Sequence, residues 1–222
     1  MKRVLLTVFL CIAITGVAAA KTPAEIIDES ILVLEEMTAQ YDVAAMAGLV
    51  KQAKGVAIFP SVLKAGFVLG GRYGEGLVLR RDNDNWYGPY FVTIKGVSYG
   101  LQVGVQSTAL VMVINNERGL QSFTGDKVTL GGEVSVAAGP LGRQAGAATD
   151  TDFKAEIYSY SMSKGAFAGM SLEGSIIEAA KGANLDYWGS DLTVEQIFKK
   201  KATDSRIKEL VAELNNLAKL AD

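Results

Sequence analysis

The run "GVAIFPSVLKAGFVLGGRYGEGLVLRR", Gly55 to Arg81, decides the fold. It holds three apolar stretches of strand length, "VAIFP", "AGFVLGG" and "GLVLRR", with glycine at their edges. The same texture continues through "YFVTIKG", "YGLQVGVQ", "ALVMVIN", "KVTLGGEVSVAAG" and "AEIYSYSMS", which predicts about eight strands. Turn signals at Asp82 to Asn85, Asn115 with Asn116, and Gly125 with Asp126 join neighbours antiparallel. No long helical pattern separates the runs, which disfavours a parallel doubly wound sheet. Glycines inside them, at 70, 71, 100, 104, 131 and 132, suit strong curvature or close backbone approach. The expectation is a curved antiparallel sheet or flattened barrel.

Outward from that sheet the chain turns helical on both sides. In "TPAEIIDESILVLEEM", Thr22 can cap, Pro23 suits the first helical position and Glu25 completes a capping box. Ile27, Ile31 and Leu34 recur at helical spacing among acidic residues. A second, alanine-rich helix is expected from Asp42 to Gln52, stopping near Gly55. At the far end "LTVEQIFKK" reads as a short helix. "DSRIKELVAELNNLAKLA" puts Ile207, Leu210, Val211, Leu214 and Leu217 on one core-facing stripe with Asp204 or Ser205 as cap. The fold class is therefore α+β, with N- and C-terminal helices packed against the sheet.

The first residues, "MKRVLLTVFLCIAITGVAAAK", have a basic front, an apolar run and three small residues at 18–20. They read as a secretory signal peptide, residues 1–20, leaving one domain over 21–222. Bulky Val8, Phe9 and Leu10 before Cys11 argue against lipidation. Without Lys2 and Arg3, the 22 basic residues fall to 20 against 24 acidic ones, a net charge of −4 that argues against nucleic acid as a partner.

The 222 residues contain no histidine, and the single cysteine lies in the leader. His-based triads, His-ligated metals and thiol chemistry are thereby lost. Ser163 and Lys164 are adjacent in a strand-like run and would point to opposite faces. "LGGRYGEGLVLRR" lacks the spacing and the following helix of a phosphate loop. "DNDN" at 82–85 and "TDTD" at 149–152 lack the distal glutamate of a calcium loop and read as turns. No enzyme activity, metal or cofactor is expected.

A binding surface remains. Val62, Leu63, Phe67, Phe167 and Met170 lie near Gly or Pro, at loop tips or in the core. Lys51, Lys54, Lys64, Arg72, Arg80, Arg81, Arg143, Lys164 and the run Lys199–Lys201 supply bases around them. Each base near an anionic lipid surface contributes ~1 kcal/mol, so a few with one inserted apolar side chain give reversible attachment.

The ordered segments "AKGVAIFP", "GGRYGEGLVL", "WYGPYFVTIKGVSYGLQVGVQ", "AAGPLGR", "YSYSMSKGAFAGMSLEGS" and "NLDYWG" resemble the SYLF domain over about residues 25 to 200. The resemblance implies a lipid-binding module that recognises phosphoinositides and other acidic phospholipids. It also implies that exported bacterial members are lipid-binding proteins of the cell envelope. With its leader, and no SH3- or FYVE-type segment in these residues, the chain resembles that exported type, and the actin role of some fungal members is not carried over. Some eukaryotic members reach membranes with a basic amphipathic N-terminal helix, whereas Ala24 to Met37 here is acidic. The expected lipid contacts are Lys51, Lys54, Lys64, Arg72, Lys164, Phe67, Phe167 and Met170, as a surface patch or as an acyl groove. The alternative partner is an envelope protein or cell-wall polymer, and the expected location is the periplasm, the envelope or the exterior.

Overall fold

The computed structural model describes residues 20–40, 43–140, 154–167, 170–201 and 203–221, with the backbone alone described at 67–69 and 98–104. The expected leader apart from Ala20, the "TDTD" turn, Arg143 and the Phe67 side chain lie outside the described residues.

Helix α1, Pro23–Thr38, starts as its sequence requires. The Thr22 hydroxyl accepts from the Glu25 amide at 3.3 Å, and the Glu25 carboxylate accepts from the Thr22 amide at 2.8 Å. Ile26, Ile27, Ile31, Leu34 and Met37 form its buried stripe. Helix α2, Ala44–Gln52, follows and buries Met46, Ala47, Leu49 and Val50.

Strands β1, Gly55–Asp82, and β2, Asn85–Ile114, form one antiparallel hairpin, in register from Gly55 opposite Ile114 to Asp82 opposite Asn85. Three expected strands on each side are thus one continuous strand. A straight strand of 28 residues would run about 90 Å, about twice the diameter of a domain this size. Irregularities at Phe59/Val62, Gly66/Val68 and Val78/Arg80 bend the hairpin instead. The two arms of β1 then lie alongside each other at backbone contact. A Cβ at Gly70 would sit 2.3 Å from the Ala65 carbonyl oxygen, and one at Gly76 2.3 Å from that of Ile58. The Arg81 amide closes the base by donating to the Lys54 carbonyl at 2.7 Å.

Helix α3, Glu117–Gln121, is capped by Asn116, and a 3-10 turn, Ser122–Thr124, follows. The remaining strands extend the sheet on either side of the hairpin. They are β3, Lys127–Thr129; β4, Val136–Ala138; β5, Ile157–Ser163; β6, Ala166–Phe167; and β7, Ile176–Ala179. β5 pairs with β2 at 109–114, β7 with β2 at 92–95, and β3 with β7, all antiparallel. β4 runs parallel to β5, so the curled sheet is mixed. Lys164 and Gly165, at φ 52° and 74°, make the tight β5–β6 turn, whose left-handed backbone fits the strand twist.

Helices α4, Lys181–Trp188, α5, Val194–Ile197, and α6, Ser205–Lys219, complete the chain. The Asp204 carboxylate caps α6 by accepting from the Ile207 amide at 3.1 Å. Asn184 of α4 clips onto the main chain of Phe91: its side-chain oxygen accepts from the Phe91 amide and its side-chain nitrogen donates to the Phe91 carbonyl, both at 2.8 Å.

Two cores result, one on each face of the sheet. Ile58, Leu77, Leu79, Val111 and Val113 meet α1, α2 and α6. On the opposite face Phe59, Val78, Ile94, Leu110 and Met112 meet Leu120, Phe123, Ile197 and Phe198. Each fully buried aliphatic side chain contributes about 1.5–3 kcal/mol.

Candidate functional site

The bend of the hairpin is where the sheet outruns its helices. Residues two apart on a strand share a face. The face that carries Leu77, Leu79, Phe91, Val111 and Val113 at the base therefore carries Leu63, Tyr73, Val97 and Val105 near the bend. At the base these positions are sealed by helices. Near the bend Leu63 is 40% exposed, Tyr73 43%, Val97 56% and Val105 75%. The register sets Val105 opposite Ala65, and Val97 opposite Gly71. Together they form an apolar crest, four large side chains on two adjoining arms.

Polar groups bound the crest. The Tyr73 hydroxyl donates to Glu75 at 3.1 Å, and partial burial followed by the Glu75 charge raises its pKa above the usual phenol value. The other Glu75 oxygen accepts from the Lys21 backbone amide at 3.1 Å, which brings the start of α1 to the edge of the crest. Lys95 pairs with Glu178 at 2.8 Å, and the bond to Lys95 holds that carboxyl below its ordinary value. Lys64 lies at the bend on the opposite face, opposite Gln106, with no ion pair among the described residues.

The structure divides the expected lipid contacts into two groups. Lys64, Arg72 and Lys164 fall at the bend end. The β5 ladder runs from Ile157 opposite Ile114 to Met162 opposite Ala109, so the Lys164 turn leaves the sheet near the level of Ser107. Arg72 is half-buried and donates to the Ser171 carbonyl, and desolvation lowers the pKa of its guanidinium. Lys51 and Lys54 lie at the base, roughly 30 Å along the strand from Lys64 by strand rise. The Lys54 ammonium is 3.7 Å from Glu117. Phe167 packs edge-on to Tyr160 at 6.2 Å, and Met170 packs against the second core. Val62, considered as a loop-tip residue, is a core residue at 1% exposure.

Tyr73, Val97 and Val105 were not among the expected contacts. Their signal lay in the alternation: around the bend the opposite face has glycine at 66, 70, 74, 96, 100 and 104, beside Lys64, Arg72 and Gln106, so Tyr73, Val97 and Val105 fall together on the crest face. Among the described residues no helix is long and apolar enough to cross a membrane, and no cluster of acidic, His or Cys side chains is placed to hold a metal ion.

An α+β domain of this kind, a curled sheet with helices packed at its base, is matched by a known family. Residues 95–217 fit the family model Ysc84, described as "Las17-binding protein actin regulator". The chain belongs to this family, the SYLF domain family. It is 42% identical over 153 residues to protein YSC84 of Saccharomyces cerevisiae, covering 67% of this chain and 32% of that protein. It is 41% identical over 153 residues to LAS seventeen-binding protein 3 of the same yeast, covering 67% and 33%. To the SH3 domain-containing YSC84-like protein 1 of Bos taurus it is 38% identical over 153 residues, covering 68% and 45%. The chain thus spans a third to under half the length of these relatives.

Proposed function

We propose that this protein is an exported, non-enzymatic phospholipid-binding protein of the cell envelope that attaches through the crest at the hairpin bend. One observation carries the reading: Leu63, Tyr73, Val97 and Val105 continue a core-forming face into solvent with no helix among the described residues over them. An apolar face left open on a rigid hairpin costs little to order on contact, because its backbone is already fixed by the ladder. Burial of exposed Leu and Val contributes on the order of 1 kcal/mol each. Lys164, and Lys64 where its long side chain reaches past the bend from the opposite face, add at most ~1 kcal/mol each against anionic headgroups. The sum gives reversible attachment. Of the two modes left open by the sequence, the exposed crest supports the surface mode. The leader supports export, and the lack of histidine over the whole chain supports a role without catalysis.

Cosedimentation with vesicles of phosphatidylcholine, with and without phosphatidylglycerol, tests this. Binding at low salt, lost in the double variant Val97→Asp/Val105→Asp, is the expected result. Failure of the wild-type protein to bind either vesicle at low salt would remove the proposal.

A second reading is a protein partner. It is favoured by the description of the family and the name of one yeast relative, both of which refer to binding Las17. Capture from detergent-solubilised envelopes of one stoichiometric protein, by wild type and not by the crest variant, would favour it.

A further inference from the structure

Away from the crest, α4 and α5 enclose a cleft of about 340 Å³ against the start of β2. That volume lies within the range of small-molecule sites and far exceeds the ~30 Å³ of a single water. Its lining is acidic. Asp126, Asp191 and Glu195 supply three carboxylates against the single ammonium of Lys181. Neither Asp126 nor Asp191 has an ion-pair partner among the described residues. Among the described residues no three such side chains are grouped to hold a metal ion.

The second observation is Tyr90. It is only 6% exposed, its ring packs edge-on to Phe198 at 5.8 Å, and it lines the cleft. Its ring is buried, and its hydroxyl has no hydrogen-bond partner among the described residues, which leaves the oxygen available to a group in the cleft. Asp126 and Glu195 act on this oxygen: burial first, then these two charges, push its pKa up to about 12. The phenol stays neutral, with its oxygen lone pairs open to a donor. Neighbouring Leu192 and Val194 add an apolar wall.

A net-negative cleft with an unpaired phenol oxygen in its lining and an apolar wall has the complement of a short alkylammonium. We propose that this cleft is a binding site for a primary ammonium group on a short carbon stem, received by the Asp126 carboxylate and the Tyr90 hydroxyl. The group is either a free amine or the ethanolamine headgroup of a lipid. The site is separate from the crest, so it stands or falls independently of membrane attachment there.

The test is calorimetric titration of the whole protein with ethanolamine and with putrescine, using ethylene glycol and acetate as uncharged and anionic controls. Saturable binding of the amines alone is expected. Removing a charge-assisted bond in Asp126→Asn weakens it about tenfold or more. Tyr90→Phe weakens it severalfold while leaving Tm without ligand unchanged, because the hydroxyl has no partner within the fold. A merely structural phenol would show the opposite pattern, a lowered Tm with unchanged titration, and that would overturn the proposal. No saturable amine binding, or equal binding of ethylene glycol, would overturn it as well. Vesicles of phosphatidylcholine with and without phosphatidylethanolamine separate the two sources. Ethanolamine-dependent binding lost in Asp126→Asn assigns the headgroup; amine binding without any vesicle preference assigns the free amine. Val97→Asp/Val105→Asp should leave the amine titration unchanged.

Discussion

The base and the bend of the β1–β2 hairpin consist of the same two strands with the same alternation, yet they end differently. At the base, Leu79 and Val113 are sealed under α1, α2 and α6. At the bend, Val97 and Val105 on the same face meet solvent. The glycine content differs as well. The base needs side chains on both faces because each face has a core, whereas toward the bend glycines at 70, 74 and 76 on one face let the arms approach. Composition alone would rank both regions as β-sheet core. What separates them is the reach of the helices.

The comparison breaks most readily at a glycine. A Cβ at Gly76 would lie 2.3 Å from the Ile58 oxygen and 2.6 Å from the Phe59 ring, whereas one at Gly71 meets nothing within 4 Å. Gly76→Val is therefore expected to abolish folding or to cost more than about 4 kcal/mol, and Gly71→Ala to change stability by less than about 1 kcal/mol, by urea denaturation. Equal effects would refute the close packing of the arms.

Next in size is truncation on the shared face. Leu79→Ala should cost about 2–5 kcal/mol, as expected for a buried leucine, and leave crest binding intact in the folded fraction. Val105→Ala should fall within about 0.5 kcal/mol of wild type while weakening vesicle binding. A large stability loss in Val105→Ala would mean that the crest is covered.

The charges sharpen the comparison further. Lys64→Ala at the bend should weaken binding to anionic vesicles about fivefold, the equivalent of ~1 kcal/mol. Lys54→Ala at the base should leave it unchanged, and raised salt should erase the difference. The reverse order would move the lipid contact to the base.

The smallest effect is in acid. The Glu156 carboxyl is held below its ordinary 4.5, first by the Ser135 backbone amide, which donates at 2.7 Å, then by the Ser135 hydroxyl and Arg118. A folded-state pKa below the unfolded one gives stability that is complete above about 4.5 and is lost as pH falls through the lower folded value. Glu156→Gln should remove this part of the acid dependence in a thermal melt series from pH 7 to about pH 3. An unchanged profile would show that the carboxylate contributes nothing.

Much of this fold is legible in the sequence because local chemistry dictates it. The Thr22–Glu25 box, the Asp204 cap and the leucine stripe of α6 act within a few residues, and each appears where expected. The number of separate strands was not legible from Gly55 to Ile114. Glycine reads as a break, but here it bends a ladder that never stops, because the facing strand supplies hydrogen bonds through the turn. Helix α3 was read as a plain turn at Asn115 and Asn116, and the cap that Asn116 provides is common to both. The candidate site was legible in residue type and scattered in position. Lys51, Lys54 and Lys64 are close in number, but an extended strand carries them apart. Phe167 and Met170 looked available because glycine flanks them, yet each has a packing partner. Tyr73, Val97 and Val105 become visible only once the register is known.

The Asn184 clip on Phe91 has one further consequence. The pairing of β7 with β2 ends at Val92 opposite Ala179, and one residue on, the Phe91 carbonyl still accepts from the Ala180 amide at 3.0 Å, while among the described residues the Phe91 amide has only the Asn184 side chain to donate to. A side-chain amide presents the same donor and acceptor pair as a peptide unit, so Asn184 serves there as a one-residue imitation strand. It carries the ladder one residue past the end of β7 and ties α4 to the sheet there.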